Sequence, residues 1–300
     1  MDLLEPLRTQ PAAFVALAGM LGLLVGSFLN VVVYRLPRMM EREWRAQCAE
    51  LAGEDAIPGH HPGETATAPA TTGRFNLAFP ASHCPACNAP IRLWQNIPVL
   101  SWLLLRGRCA ACSARIGLRY PLIELATGAA SAVVAWRLGF GAAACAGLLA
   151  TWTLVALATI DIEHYLLPDR LTLPLLWGGL LLSVGGVFTD PASAIIGAAA
   201  GYGSLWLIYA GYRLLTGKEG MGHGDFKLLA ACGAWFGWQA LPLVVLLASL
   251  VGSVIGIALL VTSGRRVLPF GPFLAAGMWV FMLWSAPLAS TYHRLLGMPA

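Results

Sequence analysis

Residues 14–34 form an unbroken run without a single charged side chain, and from Tyr120 onward further apolar runs follow almost without interruption. A helix needs about 20 mostly apolar residues to cross the hydrocarbon core of a bilayer. The chain is 58% hydrophobic and 11% charged, whereas a soluble domain carries roughly 25% charged residues. That deficit excludes a water-soluble enzyme, a disordered regulator and a nucleic-acid binder driven by a basic surface. Abundant glycine and tryptophan suit helices that pack closely and anchor at interfaces. The sequence reads as an all-α polytopic membrane protein.

Spans are expected near 14–34, 121–138, 141–160, 171–188, 192–213, 226–238, 240–262 and 270–289. The sixth is short, and the Gly237-Trp238 break separates it from the seventh. The first run lies too far in, and lacks the basic flank and cleavage site, to read as a removed signal peptide. Between the first and second spans, 35–119 changes character. It holds most of the arginines, five of the seven cysteines and a Gly/Pro/Thr-rich tract at 58–73. The tract is expected to be a linker. The expected organisation is a first transmembrane helix (1–34), a small cytoplasmic zinc-binding domain (35–119) and a membrane helical domain (120–300). Lys and Arg are retained on the cytoplasmic side. With the N-terminus outside, the cytoplasm receives 35–119, Arg170, Arg213, Lys218, Lys227, Arg265 and Arg266. Merging the sixth and seventh spans would strand Arg265 and Arg266 outside, so about eight helices fit better than seven.

Cys84-Pro-Ala-Cys87 and Cys109-Ala-Ala-Cys112 are two C-x2-C pairs at the spacing of a structural zinc site. Each pair bends so that two thiolates converge, and two such knuckles complete a tetrahedron. Disulfides are the alternative, disfavoured in a reducing cytoplasm. Four sulfurs leave no open coordination position, so such a site builds a domain rather than catalysing. His83 is superfluous to it, and Cys48, Cys145 and Cys232 have no partner at ligand spacing.

The topology isolates two of the six aspartates. Asp161 ends the third span and Asp225 opens the sixth, in Gly222-His-Gly-Asp225, so both lie near the cytoplasmic face. A carboxylate in a membrane helix costs on the order of 2.5–3.5 kcal/mol at the centre and less toward an end, so two at similar depth suggest a task. Two carboxylates sharing one proton can perform aspartic-protease chemistry: the ionised one takes a proton from water, and the protonated one polarises the scissile carbonyl. Taken singly, Asp225 could equally be a helix cap and Asp161 an interfacial anchor. Spacing does not bring the two together by itself.

Gly-x-Gly-Asp at a membrane helix start, with an upstream membrane aspartate, resembles the intramembrane aspartic proteases. More narrowly, the whole chain resembles the type IV prepilin peptidases. The matching segments are Gly26-Ser-Phe-Leu-Asn-Val-Val-Val-Tyr-Arg-Leu-Pro37, the two cysteine pairs and Asn96-Ile-Pro-Val-Leu-Ser-Trp102. Arg119-Tyr-Pro-Leu-Ile-Glu124, Leu167-Pro-Asp-Arg-Leu-Thr172, Gly217-Lys-Glu-Gly-Met-Gly222 and Pro269-Phe-Gly-Pro272 continue the match. The resemblance implies a catalytic pair at Asp161 and Asp225 and structural zinc on Cys84, Cys87, Cys109 and Cys112. It further implies S-adenosylmethionine as methyl donor, prepilins or type II secretion pseudopilins as substrates, and a bacterial inner-membrane location with the active site on the cytoplasmic side. Two departures are visible: His223 stands where the family often has an aromatic such as Tyr, and Asn88 where Gly is common.

Asp169, beyond Pro168, is expected to cap a helix. Lys227 is expected to snorkel to the interface. Glu124 is read either as a helix-dipole partner or as a contact for a charged substrate terminus. The function implied is a membrane aspartic endopeptidase that removes short basic leaders and N-methylates the new terminus. The alternatives are a peptidase without methyltransferase activity, a proton-coupled transporter and a zinc-dependent assembly factor. A transporter predicts mid-membrane carboxylates and an internal repeat, and the sequence has neither. No glycine-rich nucleotide-binding motif appears, so the residues that bind S-adenosylmethionine are unassigned.

Overall fold

The computed structural model describes residues 5–54, 75–263 and 268–295. Eight long helices dominate it: α1 (Pro11–Glu54), α2 (Arg119–Leu138), α3 (Ala142–His164), α4 (Asp169–Val184), α5 (Pro191–Thr216), α6 (His223–Phe236), α7 (Leu241–Ser263) and α8 (Gly271–Leu295). Two one-turn helices, Glu5–Thr9 and Leu100–Leu104, accompany them. Each expected span contains a long helix, though the fourth stops at Val184 rather than 188 and the sixth at Phe236 rather than 238. Five helices (α1, α3, α5, α7 and α8) contain a stretch long and apolar enough to cross a membrane. This is a multi-pass membrane protein, although the count of eight spans is not reproduced by length and composition. At a rise of 1.5 Å per residue, α4 and α6 extend only about 24 and 21 Å.

The first helix differs from expectation. It does not stop at Tyr34 but continues to Glu54, because 35–54 is rich in good helix formers such as Met, Glu, Arg, Ala and Leu. The tract at 58–73 and the pair Arg265-Arg266 lie outside the described residues.

Close packing follows the small residues. Along α1, a side-chain carbon at Gly26 would sit 2.8 Å from the Glu124 Cα, and Gly22 leaves no room for one against Ser131 of α2. The hydroxyls at this seam turn inward: Thr127 donates to the Ile123 carbonyl and Ser131 to that of Thr127, both at 2.7 Å.

The short α6 is the best-covered helix. Ten of its fourteen residues are buried, packed by α4, α5 and α8. Gly197 and Gly233 meet backbone to backbone, and Gly201 lies against the Leu229 carbonyl. Trp235 fills the notch at Gly179 and donates its indole N–H to the Leu175 carbonyl at 2.8 Å. A helix wrapped in protein need not match the bilayer thickness, which is why α6 can be short. It ends at Gly237, whose φ of +81° suits a residue without a side chain.

Contacts between charged groups gather at one end of the bundle. Arg119, opening α2, pairs with Glu163 near the end of α3 at 2.8 Å. Arg170, near the start of α4, reaches Glu43 of the extended α1 at 2.8 Å. The Cys-rich segment joins the same end through Arg35, which is buried and donates to the backbone carbonyls of Asn76 at 2.9 Å and Pro80 at 2.7 Å. Arg137 marks the opposite end, donating to the Leu283 carbonyl at 3.0 Å.

Candidate active site and metal centre

The two cysteine knuckles are built alike. In the first, Cys84 N–H donates to the Ala89 carbonyl and Asn88 N–H to that of Cys84, each at 2.9 Å. In the second, Cys109 N–H donates to the Ala114 carbonyl at 2.8 Å and Ser113 N–H to that of Cys109 at 2.9 Å. Asn88 and Ser113 occupy the same left-handed position, at φ of 57° and 58°. Asn tolerates that conformation well, so its presence in place of Gly leaves the turn intact.

The four Sγ atoms lie within 4.8 Å of one another, with Cys84 and Cys112 at 3.9 Å. A tetrahedron with metal–sulfur bonds of about 2.3 Å has edges of about 3.8 Å. All four cysteines are free thiols. Donor type, number and spacing therefore fit a tetrahedral thiophilic ion. Among the described residues, His83, Cys48, Cys145 and Cys232 stand apart from this group. The thiols differ in acidity. Cys109 is held down to about 6, chiefly by the Cys112 backbone N–H and then by that of Ala111. For Cys112 the Ala114 N–H acts downward, but the neighbouring Cys87, Cys109 and Cys84 thiols prevail and push it up to about 11.

Asp161 and Asp225 are brought together. Asp161 is three residues from the end of α3, Asp225 is the third residue of α6, and both are buried. They meet around Leu167 of the α3–α4 turn, which abuts Gly271 beside Asp161 and Gly224 beside Asp225. Leu167 and Gly271 complete the setting. A side-chain carbon at Gly271 would fall 2.5 Å from Asp161 Oδ2 and 3.1 Å from Leu167 Cδ1. One at Gly224 would fall 2.6 Å from Leu167 Cβ. Glycine at 224 and 271 is thus what lets α6, the α3–α4 turn and the start of α8 converge on the two carboxylates. Asp225 Oδ1 is buried without a hydrogen-bond partner, an expensive state for a structural aspartate.

Asp225 is not the cap of α6, since Gly222 holds that position. Nor does Asp169 cap α4: the cap residue is Pro168, and no side chain bonds to the exposed amides. Instead Asp169 receives both its hydrogen bonds from Lys227, at 2.6 and 2.7 Å. That contact gives the Lys227 ammonium a carboxylate partner, which the expectation of snorkelling did not include. Glu124 accepts the Val99 N–H at 2.8 Å, anchoring the 96–101 loop, a contact that neither expectation included. His223 packs edge-on against Tyr209, with ring centres 5.1 Å apart, and against Phe226. An aromatic ring is what that slot accommodates.

Sequence reasoning missed Leu167, Asn30 and the clamp made by Arg35. Gly271 sits in the Pro269-Phe-Gly-Pro272 segment already singled out, and its glycine was the available signal.

Comparison with known proteins bears on the whole chain. The Bacterial Peptidase A24 N-terminal domain matches residues 20–138, and the Type IV leader peptidase family matches residues 148–257. A protein of Stutzerimonas stutzeri named Prepilin leader peptidase/N-methyltransferase is 51% identical, over 96% of each chain. Proteins of the same name from Pseudomonas aeruginosa and Neisseria gonorrhoeae are each 50% identical, over 99% and 89% of each chain. No solved structure matches this chain.

Proposed function

Because the chain belongs to the type IV leader peptidase family, we propose that it is a membrane aspartic endopeptidase that cleaves prepilin leaders and N-methylates the new terminus. Asp161 and Asp225 form its catalytic pair. The observation that carries this reading is the convergence of two buried carboxylates from different helices on Gly271 and Leu167.

One carboxylate is ionised and takes a proton from water, whose oxygen attacks the scissile carbonyl carbon. The other is protonated and donates to the carbonyl oxygen as charge develops there. The tetrahedral adduct then collapses, the C–N bond breaks, and the leaving amine takes up a proton. Burial excludes bulk water, and the partnerless Asp225 oxygen is available for the proton that the pair shares. Gly224 and Gly271 keep side chains out of the space beside the pair, so an extended peptide can approach.

Zinc is the ion that the four thiolates of Cys84, Cys87, Cys109 and Cys112 suit, in a structural role. S-adenosylmethionine, when bound, supplies a methyl group activated on a sulfonium. The domain division is 1–34, 35–119 and 120–300, the middle part being cytoplasmic and zinc-binding. The substrates are type IV prepilins or type II secretion pseudopilins, met at the cytoplasmic face of the bacterial inner membrane.

Incubating the purified protein with a prepilin peptide and S-adenosylmethionine tests the reading. Product masses should show cleavage at one bond and one added methyl. An uncut peptide would overturn the peptidase assignment. A cut peptide without the added mass would leave a peptidase lacking the second activity.

A further inference from the structure

A cavity of about 500 Å³ lies between α1, the start of α2 and the two cysteine knuckles, apart from Asp161 and Asp225. Its volume is in the range of sites that enclose a small molecule, about 300–1,000 Å³. Tyr34, Trp102 and Tyr120 contribute aromatic surface, while Asn30 and Glu124 stand at its base. Its lining is mostly apolar with a few convergent polar groups, the character expected of a ligand pocket.

Asn30 supplies the decisive detail. It is buried at 5% exposure, and its Nδ2 donates to the carbonyls of Gly26 at 3.3 Å and Tyr120 at 3.1 Å. Those two acceptors fix the orientation of the amide, because an oxygen turned toward them would be repelled. Its Oδ1 is left buried with no partner. Leaving a buried acceptor unmade costs about 1–3 kcal/mol, so the atom is poised for a donor from outside the protein. Glu124, 8% exposed, is the carboxylate on the lining. It uses Oε2 for Val99 and also has the Ser27 hydroxyl of α1 as a partner, which leaves part of its accepting capacity for a ligand.

We propose that this cavity is the S-adenosylmethionine site, with Asn30 Oδ1 and Glu124 as its buried acceptors. The proposal rests on the methyltransferase reading above and adds the location. The ligand carries a flat purine, hydroxyl and amino donors, and cationic centres. Aromatic walls suit the purine and attract a cation over their faces. The amide oxygen and the carboxylate suit the donors. The pocket has no glycine-rich phosphate cradle, in keeping with a ligand that has no phosphate. The cavity lies at the Asp161 end of α3: Tyr120 on its wall follows Arg119, whose partner Glu163 is two residues past Asp161. A short basic peptide would engage Glu124 and leave the aromatic walls unused.

The test is calorimetric titration of the zinc-loaded, full-length protein in detergent with S-adenosylhomocysteine, the unreactive product. Asn30→Leu keeps the size of the side chain, and Glu124→Gln keeps an acceptor for Val99. Each should weaken binding at least about tenfold, with zinc content and elution volume unchanged. Should either variant misfold, ultraviolet crosslinking of S-adenosylmethionine labelled in the purine to the wild-type protein decides instead. Label in peptides covering 27–35 or 95–124 supports the site. Label confined to 203–226, or unchanged affinity in both folded variants, overturns it. Displacement of the ligand by a leader peptide lacking the mature segment would assign the cavity to the leader and also overturn it. Wild-type protein that neither binds the ligand nor methylates cleaved pilin would refute the methyltransferase reading itself.

Discussion

Lys227 grips both carboxylate oxygens of Asp169, at 2.6 and 2.7 Å, and so ties the first residue of α4 to α6 two residues beyond Asp225. The pair is a brace between α4 and α6, the helix that carries Asp225. Asp169 is half exposed, and exposed ion pairs contribute roughly 0–1 kcal/mol. The brace therefore sets position more than stability.

Asp161→Asn and Asp225→Asn should each abolish leader cleavage while the protein stays folded and metal-bound. Asn keeps the size of the side chain but can neither take the proton of water nor share one with its partner. A lost acid or base costs about 10²–10⁴-fold, and loss of a coupled pair should reach the upper part of that range. Asp169→Asn weakens only the brace and should reduce kcat less than about tenfold. A dead Asp169→Asn beside an active Asp161→Asn would move the first carboxylate.

Gly271→Ala should act on chemistry rather than on folding. Its new carbon would lie 2.5 Å from Asp161 Oδ2, and the carboxylate must swing away to make room. The expected result is a fall in kcat with KM little changed and thermal stability close to wild type. Equal losses in Gly271→Ala and a distant control such as Gly203→Ala, where a side chain meets nothing within 4 Å, would contradict it.

Metal analysis should return about one zinc per chain, as four thiolates imply. Cys84→Ser or a strong chelator should release it and open 75–117 to limited proteolysis. An intact protein free of metal, with its cysteines oxidised in pairs, would exclude the site.

In metal-free protein, alkylation by iodoacetamide should rank the four thiols. Cys109 titrates near about 6 and is largely thiolate at pH 7, so it should react first, slowing as pH falls through about 6. Cys112, pushed up to about 11, is thiol at neutral pH and should react last, accelerating only in strong alkali. Peptide mapping after brief exposure at pH 5, 7 and 9 reads the order, and zinc should abolish it.

In a background where Cys48 and Cys145 are replaced, Thr189→Cys should label from outside the cell, and Ala78→Cys only after permeabilisation. External labelling at 78 would invert the orientation and separate Asp161 and Asp225 from a newly made leader.

The helices were legible because a bilayer leaves a one-dimensional trace: each long apolar run became a helix, and even the break at Gly237 could be read from its glycine. The cysteine tetrad was legible because each knuckle is local, closing through bonds such as Asn88 N–H to the Cys84 carbonyl. The approach of Asp161 to Asp225 was not, since it depends on how α3 and α6 pack and no spacing encodes that. Asp169 misled for a related reason. In sequence it has the look of a cap before a span, but Lys227, 58 residues on, claims its carboxylate. The end of α1 was missed because charge marks where lipid stops, and a helix can continue into water.

That continuation contains Pro37, whose nitrogen has no proton to give the Val33 carbonyl. Bending there sacrifices no backbone bond, so it is the cheapest place for α1 to yield. Arg35, which holds the Asn76 and Pro80 carbonyls, lies on the membrane side of that point. Mechanically, then, the residues leading into the cysteine knuckles are bolted to the membrane body, and the free arm of the lever begins only beyond the Arg170–Glu43 contact, at 44–54. Thermal bending of that arm can proceed without disturbing the four cysteines, whose leading segment is held by Arg35 instead.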